Sequence, residues 1–187
     1  MNVKRVVLPV LATALLLVSG GVASSLAATP VKVRKTPLVK LVRPRAEVRR
    51  VNPRLTRRFR ATTWRWQVVV GRRRSRLAAP LSSRLALGFW RGHARQIVRL
   101  AAHPPHKGAW QCIHRYEGNW RDGGDPYWGG LQMDRGFMST YAPNVLLHRG
   151  WANRWTPLEQ MWVAERAYSR GRGFYPWPNA ARYCGLL

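Results

Sequence analysis

Cys112 and Cys184 are the two cysteines of this 187-residue chain, and they bracket its most aromatic stretch, since seven of the ten tryptophans lie at or after residue 110. With no third thiol to compete, an oxidising compartment permits a single pairing, and that bond would close most of residues 108–187. Loop closure over such a span is worth about 4 kcal/mol in the chain-entropy picture. That is a large contribution for a core this small. Two unrelated reduced cysteines are the alternative, and the compartment decides between them.

The N-terminus bears on the compartment. Lys4 and Arg5 precede an apolar run from Val6 to Val18, followed by the small residues of Gly20–Ala28. This is the charged, apolar, small-residue order of an export signal, which assigns residues 1–28 to a signal cut near Ala27 or Ala28. Left uncut, the same run approaches spanning length and would serve as a membrane anchor. The expected location is therefore secreted, extracellular or wall-associated, or membrane-anchored.

Charge divides the chain at about residue 108. Residues 1–107 carry 24 Lys or Arg and one acid, Glu47, whereas residues 108–187 carry nine Arg and six carboxylates. A strongly basic segment seeks a polyanion such as an anionic wall polymer or membrane surface. No nucleic-acid recognition motif accompanies the charge, so that partner is not expected. Residues 29–107 read as a basic, Pro/Arg-rich extension, with 29–60 an extended tether that could also recruit a wall enzyme. Within it, the period-two Trp64, Trp66, Val68 and Val70 predict a strand over 62–70 if a partner strand exists. A disordered basic segment with a hydrophobic patch is the other reading. Leu81, Leu85, Phe89 and Leu100 predict a helix over 81–100. His103 and His106 flank a Pro-Pro break and read as linker, because no nearby Cys, Asp or Glu completes a metal set.

Residues 108–187 read as mainly helical. Trp110, Ile113 and Glu117 fall at helical spacing, so a short helix could bury the first two and present Glu117 at its end. Gly118 and Asn119 then favour termination, and Tyr127–Met133 mixes aromatics with consecutive glycines as a turn or tiny hairpin. A second short helix follows Asp134. Thr156-Pro157-Leu158-Glu159 combines a cap, a first-turn proline and an acid three places on, which introduces a helix to about Ser169.

The run from Trp110 to Trp120, with Glu117-Gly118-Asn119-Trp120 at its end, followed by Tyr127-Trp128-Gly129-Gly130-Leu131-Gln132, resembles the transglycosylase-like domain of bacterial resuscitation-promoting factors. Gln160, Ala164, the Gly173–Pro178 run and Cys184 extend the resemblance over roughly 108–185. It implies a compact lysozyme-like domain, closed by a Cys112–Cys184 disulfide, that acts on peptidoglycan. It also implies that Glu117 is the catalytic glutamate and that Gln132 borders the glycan groove. Tyr116 stands where many small relatives have Cys, and the run after Glu117 is two residues shorter than theirs.

Glycosidic cleavage needs a proton for the leaving oxygen, which a glutamic acid delivers if its surroundings keep it protonated. Asp122, Asp125 and Asp134 are candidate second carboxylates for a hydrolysing muramidase, with no spacing that singles out a pair. Without one, the resemblance implies a lytic transglycosylase that cuts the β-1,4 bond from N-acetylmuramic acid to N-acetylglucosamine and leaves 1,6-anhydro ends. A catalytically inactive peptidoglycan-binding module is the non-enzymatic alternative. Gln132 could donate to an acetamido carbonyl or hydroxyl, or hold a turn. Trp120, Tyr127 and Trp128 are candidate sugar platforms, with Gly130 letting backbone approach the ligand. No cofactor or metal is called for.

Overall fold

The computed structural model describes residues 51–187, so the export signal or anchor and the tether over 29–50 lie outside the described residues. Seven α-helices carry the architecture: α1 (Pro53–Val69), α2 (Arg84–Ala101), α3 (Lys107–Glu117), α4 (Arg135–Tyr141), α5 (Asn144–Leu147), α6 (Pro157–Ala167) and α7 (Pro178–Tyr183). The domain is mainly helical and carries one disulfide, Cys112–Cys184, which joins the middle of α3 to the end of α7. Among the described residues there is no β-strand. A single antiparallel bridge, Trp128 with Met133, closes the Gly-rich turn between α3 and α4.

The strand expected at 62–70 is the second half of α1, and the N-terminal half of that helix occupies the last part of the expected tether. Two local features explain this. Asn52 caps the helix by accepting from the Arg54 amide, and Pro53 takes a first-turn position that its fixed φ suits. The period-two apolar pattern had no second strand to pair with. Helical geometry instead buries Thr56, Thr63 and Gln67 on one side, with Val69 buried at the C-terminal end. α2 covers the expected 81–100 segment and starts at Arg84 because the Ser83 side chain accepts from Ala86.

Packing does not follow the charge division at residue 108. α1 pairs with α2, and three side chains of α6 bind the pair to the rest of the fold. Glu159, fully buried, accepts from Arg65 of α1 at 2.5 Å and from Arg149 at 2.7 Å. Arg166 donates to the carbonyls of Val68 and Val69, the end of α1 where helical carbonyls lack partners. Trp162 Nε1 donates to Ala101 O at the end of α2, at 2.9 Å. Residues 51–187 accordingly belong to one compact unit.

The core is built from Trp110, Ile113, Leu131, Met138, Leu146, Trp155 and Val163, all at most 2 % exposed. Glu165 accepts from the indole N–H of Trp110 at 2.9 Å and from the backbone N–H of His106 at 2.6 Å. Its other oxygen lies 2.9 Å from His106 Nδ1. His106 therefore pins the start of α3 onto α6. The Thr156–Glu159 capping box forms as expected and opens α6.

Candidate functional site

Glu117 is the last residue of α3, and Gly118, with φ 157°, turns the chain away immediately after it. The position follows from the rest of the helix: Trp110 and Ile113 bury its inner face and Cys112 fastens it to α7, so the final turn projects Glu117 at the edge of the core. Its carboxyl lines a cleft of about 300 Å³ together with Tyr127, Gln132, Pro176, Trp177, Pro178 and Asn179. Among the described residues it has no hydrogen-bond or ion-pair partner. Partial burial pushes the carboxyl up from its ordinary range, because the surrounding wall disfavours the charged form. The shift acts in the direction a proton donor needs.

Gln132 sits across the turn with φ 46°, the left-handed region that side chains seldom adopt. Its amide nitrogen donates to Asp122 Oδ2 at 2.7 Å and to Gly129 O at 3.0 Å. Both partners can only accept, which fixes the amide's orientation: reversing it would set an oxygen against two oxygens. Both amide hydrogens are thus spent. The carbonyl Oε1 is the end left without a partner among the described residues, so Gln132 offers the cleft an acceptor. Of the two roles open to Gln132 from the sequence, its amide hydrogens serve the turn contact.

Asp122 stands apart from the other two candidate carboxylates. The Gly124 N–H and then the Gln132 amide hold its pKa below the ordinary aspartate value, so it stays ionised. A Cβ placed on Gly118 would lie 3.0 Å from Gln132 Nε2 and 3.5 Å from Asp122 Oδ2, which puts this pair beside the residue that follows Glu117. Asp125 instead pairs with exposed Arg135 at 3.1 Å. Asp134 caps α4 through the Phe137 amide at 2.7 Å.

Of the remaining sequence candidates, Trp128, Trp120 and Gly130 serve the scaffold of the turn. Trp128 is 5 % exposed and packs near Trp151, with the Arg135 guanidinium 5.2 Å from its ring centre, so it is core and presents no open face to a sugar. Trp120 stacks on His114 at 3.9 Å and faces a separate hollow shared with Pro157 and Met161. Gly130 is small for a packing reason: a Cβ there would meet His114 and Trp120 at 2.6 Å. Tyr127 alone of the aromatic candidates joins Glu117 and Gln132, and it is 48 % exposed.

Two parts of the sequence resemblance, Gln160 and the Gly173–Pro178 run, acquire their place at the site only from the packing. Gln160, fully buried, accepts from the Gly130 amide at 2.9 Å and donates to Trp120 O at 2.8 Å and Ala152 O at 2.9 Å, holding the Gly-rich turn from behind. The far wall of the cleft comes from the start of α7, with Asn179 as an exposed polar group and Trp177 as a plug whose indole donates to Leu131 O at 2.5 Å. Pro176 and Pro178 around Trp177 signal a rigid rim, but nothing in the sequence says which side of it meets Glu117.

No group of three or more potential metal ligands occurs among the described residues, and no helix there is long and apolar enough to cross a membrane. No family model, curated protein or solved structure matches the chain.

Proposed function

We propose that the chain is a lytic transglycosylase of peptidoglycan, with a lysozyme-like site of the resuscitation-promoting-factor kind and Glu117 as its acid and base. The observation that carries the reading is the placement of Glu117. It is a carboxyl without a protein partner, raised in pKa by its wall, in an open cleft beside a fixed amide acceptor and an exposed tyrosine. The sequence resemblance supports it independently, since it selects the same glutamate and glutamine.

In this reading Tyr127 covers the apolar face of a sugar ring, and Gln132 Oε1 accepts from an acetamido N–H or a hydroxyl. Protonated Glu117 delivers its proton to the glycosidic oxygen as the bond to the N-acetylmuramic unit breaks. The resulting carboxylate then removes the proton of that sugar's C6 hydroxyl as O6 closes on the anomeric carbon. The sequence of steps returns Glu117 to its acid form and leaves a 1,6-anhydro end. No water enters the product.

One observation favours a second reading, a hydrolysing muramidase. Asp122 stays ionised close to Gln132, where a carboxylate could steady the sugar cation or orient water. The two differ in their products. Mass spectrometry of fragments released from purified peptidoglycan is expected to show anhydro ends. Hydrated reducing ends alone would replace the transglycosylase with the muramidase, and wall retention without any cleavage would leave a binding module.

A further inference from the structure

The loop between α1 and α2 is an arginine run held in one shape. Gly71, at φ 77°, ends α1, and the Arg72 amide turns back to Gln67 O at 2.6 Å. Ser75 is then held at three points. Its N–H donates to Gln67 Oε1 at 2.9 Å, its hydroxyl accepts from Gln67 Nε2 at 2.7 Å, and its carbonyl accepts from Trp64 Nε1 at 2.9 Å. Gln67, only 7 % exposed, is thus a buried side chain given over to fixing a surface loop. On either side of the clamp, Arg73, Arg74 and Arg76 are exposed and line a cleft of about 680 Å³ with Trp64 and Ser75.

None of the three arginines pairs with a carboxylate among the described residues. Rigid like charges repel one another, and such an arrangement is stabilised by a ligand that supplies several negative groups. The strip continues along α1. Arg60 lies 4.7 Å from the Trp64 ring centre, and Arg57 precedes it by three residues on the same side of the helix. From Arg57 to Trp64 the helix rises about 10 Å, which suits a chain of charges better than one ion.

We propose that Trp64 and the Arg72–Arg76 loop, with Arg57 and Arg60, bind a flexible phosphodiester polymer. Guanidinium forks fit phosphate oxygens, and a repeating phosphate engages several of them at once. The indole is not free to stack a base: Arg60 and Arg74 lie over it and the Trp90 ring meets it at 5.7 Å. The cleft has no exposed apolar residue to enter a bilayer.

Poly(glycerol phosphate) titrated into the full chain, followed by tryptophan fluorescence at several salt concentrations, tests the site. The triple change Arg73→Gln, Arg74→Gln, Arg76→Gln should weaken binding at least tenfold and reduce the slope of log K against log salt by about two to three. Ser75→Ala keeps every charge but loosens the clamp, and should weaken binding several-fold while circular dichroism stays unchanged. A triple variant within twofold of the parent would overturn the site, and an unaffected Ser75→Ala would overturn the fixed loop. If the triple change costs more affinity for duplex DNA or for vesicles of anionic phospholipid than for the polymer, the assignment of the ligand is wrong.

Discussion

At the scale of single residues, Glu117 combines two properties that pull against each other. Its folded-state pKa is raised, so the native state holds its proton more tightly than the unfolded chain does. The stabilisation this gives is complete below the ordinary glutamate pKa and is lost as pH rises through the folded value. At neutral pH an ionised Glu117 against its wall therefore costs stability. Glu117→Gln should melt higher than the parent at pH 7 and show no such gain at pH 4, which thermal unfolding at the two pH values checks.

Asp122 and Gln132 allow a sharper test, because their geometry is reciprocal. Asp122→Asn brings a second amide to Gln132, and Gln132→Glu brings a second carboxylate to Asp122. Each single change should raise KM for glycan fragments about tenfold, the order expected when one fixed hydrogen bond of 1–2 kcal/mol is lost. The pair of changes together restores the amide–carboxylate bond and a free acceptor facing the cleft, but sets a carboxylate oxygen against Gly129 O where the Gln132 amide had donated. Partial recovery is expected of the double variant, with a KM well below the product of the two single losses. Losses that simply multiply would show that the orientation of Gln132 does not matter.

At the scale of elements, the disulfide and the turn set the two walls of the cleft. α3 supplies Glu117 and α7 begins with the residues opposite, and Cys112–Cys184 fastens one helix to the other. Replacing both cysteines with serine should cost about 2–4 kcal/mol in urea unfolding, with activity falling further than the folded fraction accounts for. The turn depends on Gly129, where φ is 74° and a Cβ would lie 2.5 Å from Gln160 Oε1. Gly129→Ala must displace the side chain that holds the Gly-rich segment, so it should destabilise by about 2 kcal/mol or more.

These elements show what the sequence discloses and what it withholds. α6 is legible because Thr156, Pro157 and Glu159 state its start in local chemistry. The end of α3 is legible because Gly118 follows Glu117. Trp128 is not: an aromatic beside glycines fits a sugar platform or a core, and only the surrounding packing, with Arg135 over the ring, settles it. α1 misleads because alternate apolar residues suggest a strand, while the partners that make it a helix of this fold, Glu159 and Arg166, are over ninety residues away.

At the scale of the molecule, the basic N-terminal half and the acidic-containing C-terminal half are not separate bodies within residues 51–187. α1 supplies Arg65, one of the two guanidinium partners of Glu159, and burial is the force that otherwise drives that carboxyl's pKa upward. The hydrogen bonds from Thr156, Arg65 and Arg149 outweigh that force and hold the carboxyl below the ordinary glutamate value. A chain beginning at residue 103 should therefore unfold at lower urea than one beginning at residue 51, with the difference shrinking in Glu159→Gln. Equal midpoints would mean that α1 and α2 are carried as a passive appendage.

In the proposed mechanism one carboxyl in the α3–α7 cleft performs the proton transfers of glycan cleavage. Turnover of purified peptidoglycan by Glu117→Gln, measured beside the parent with binding to insoluble wall recorded in the same samples, tests it most directly. A fall of about 10²–10⁴-fold in rate with wall binding retained is expected, the range for loss of a general acid. A variant that cleaves within a few-fold of the parent would contradict it.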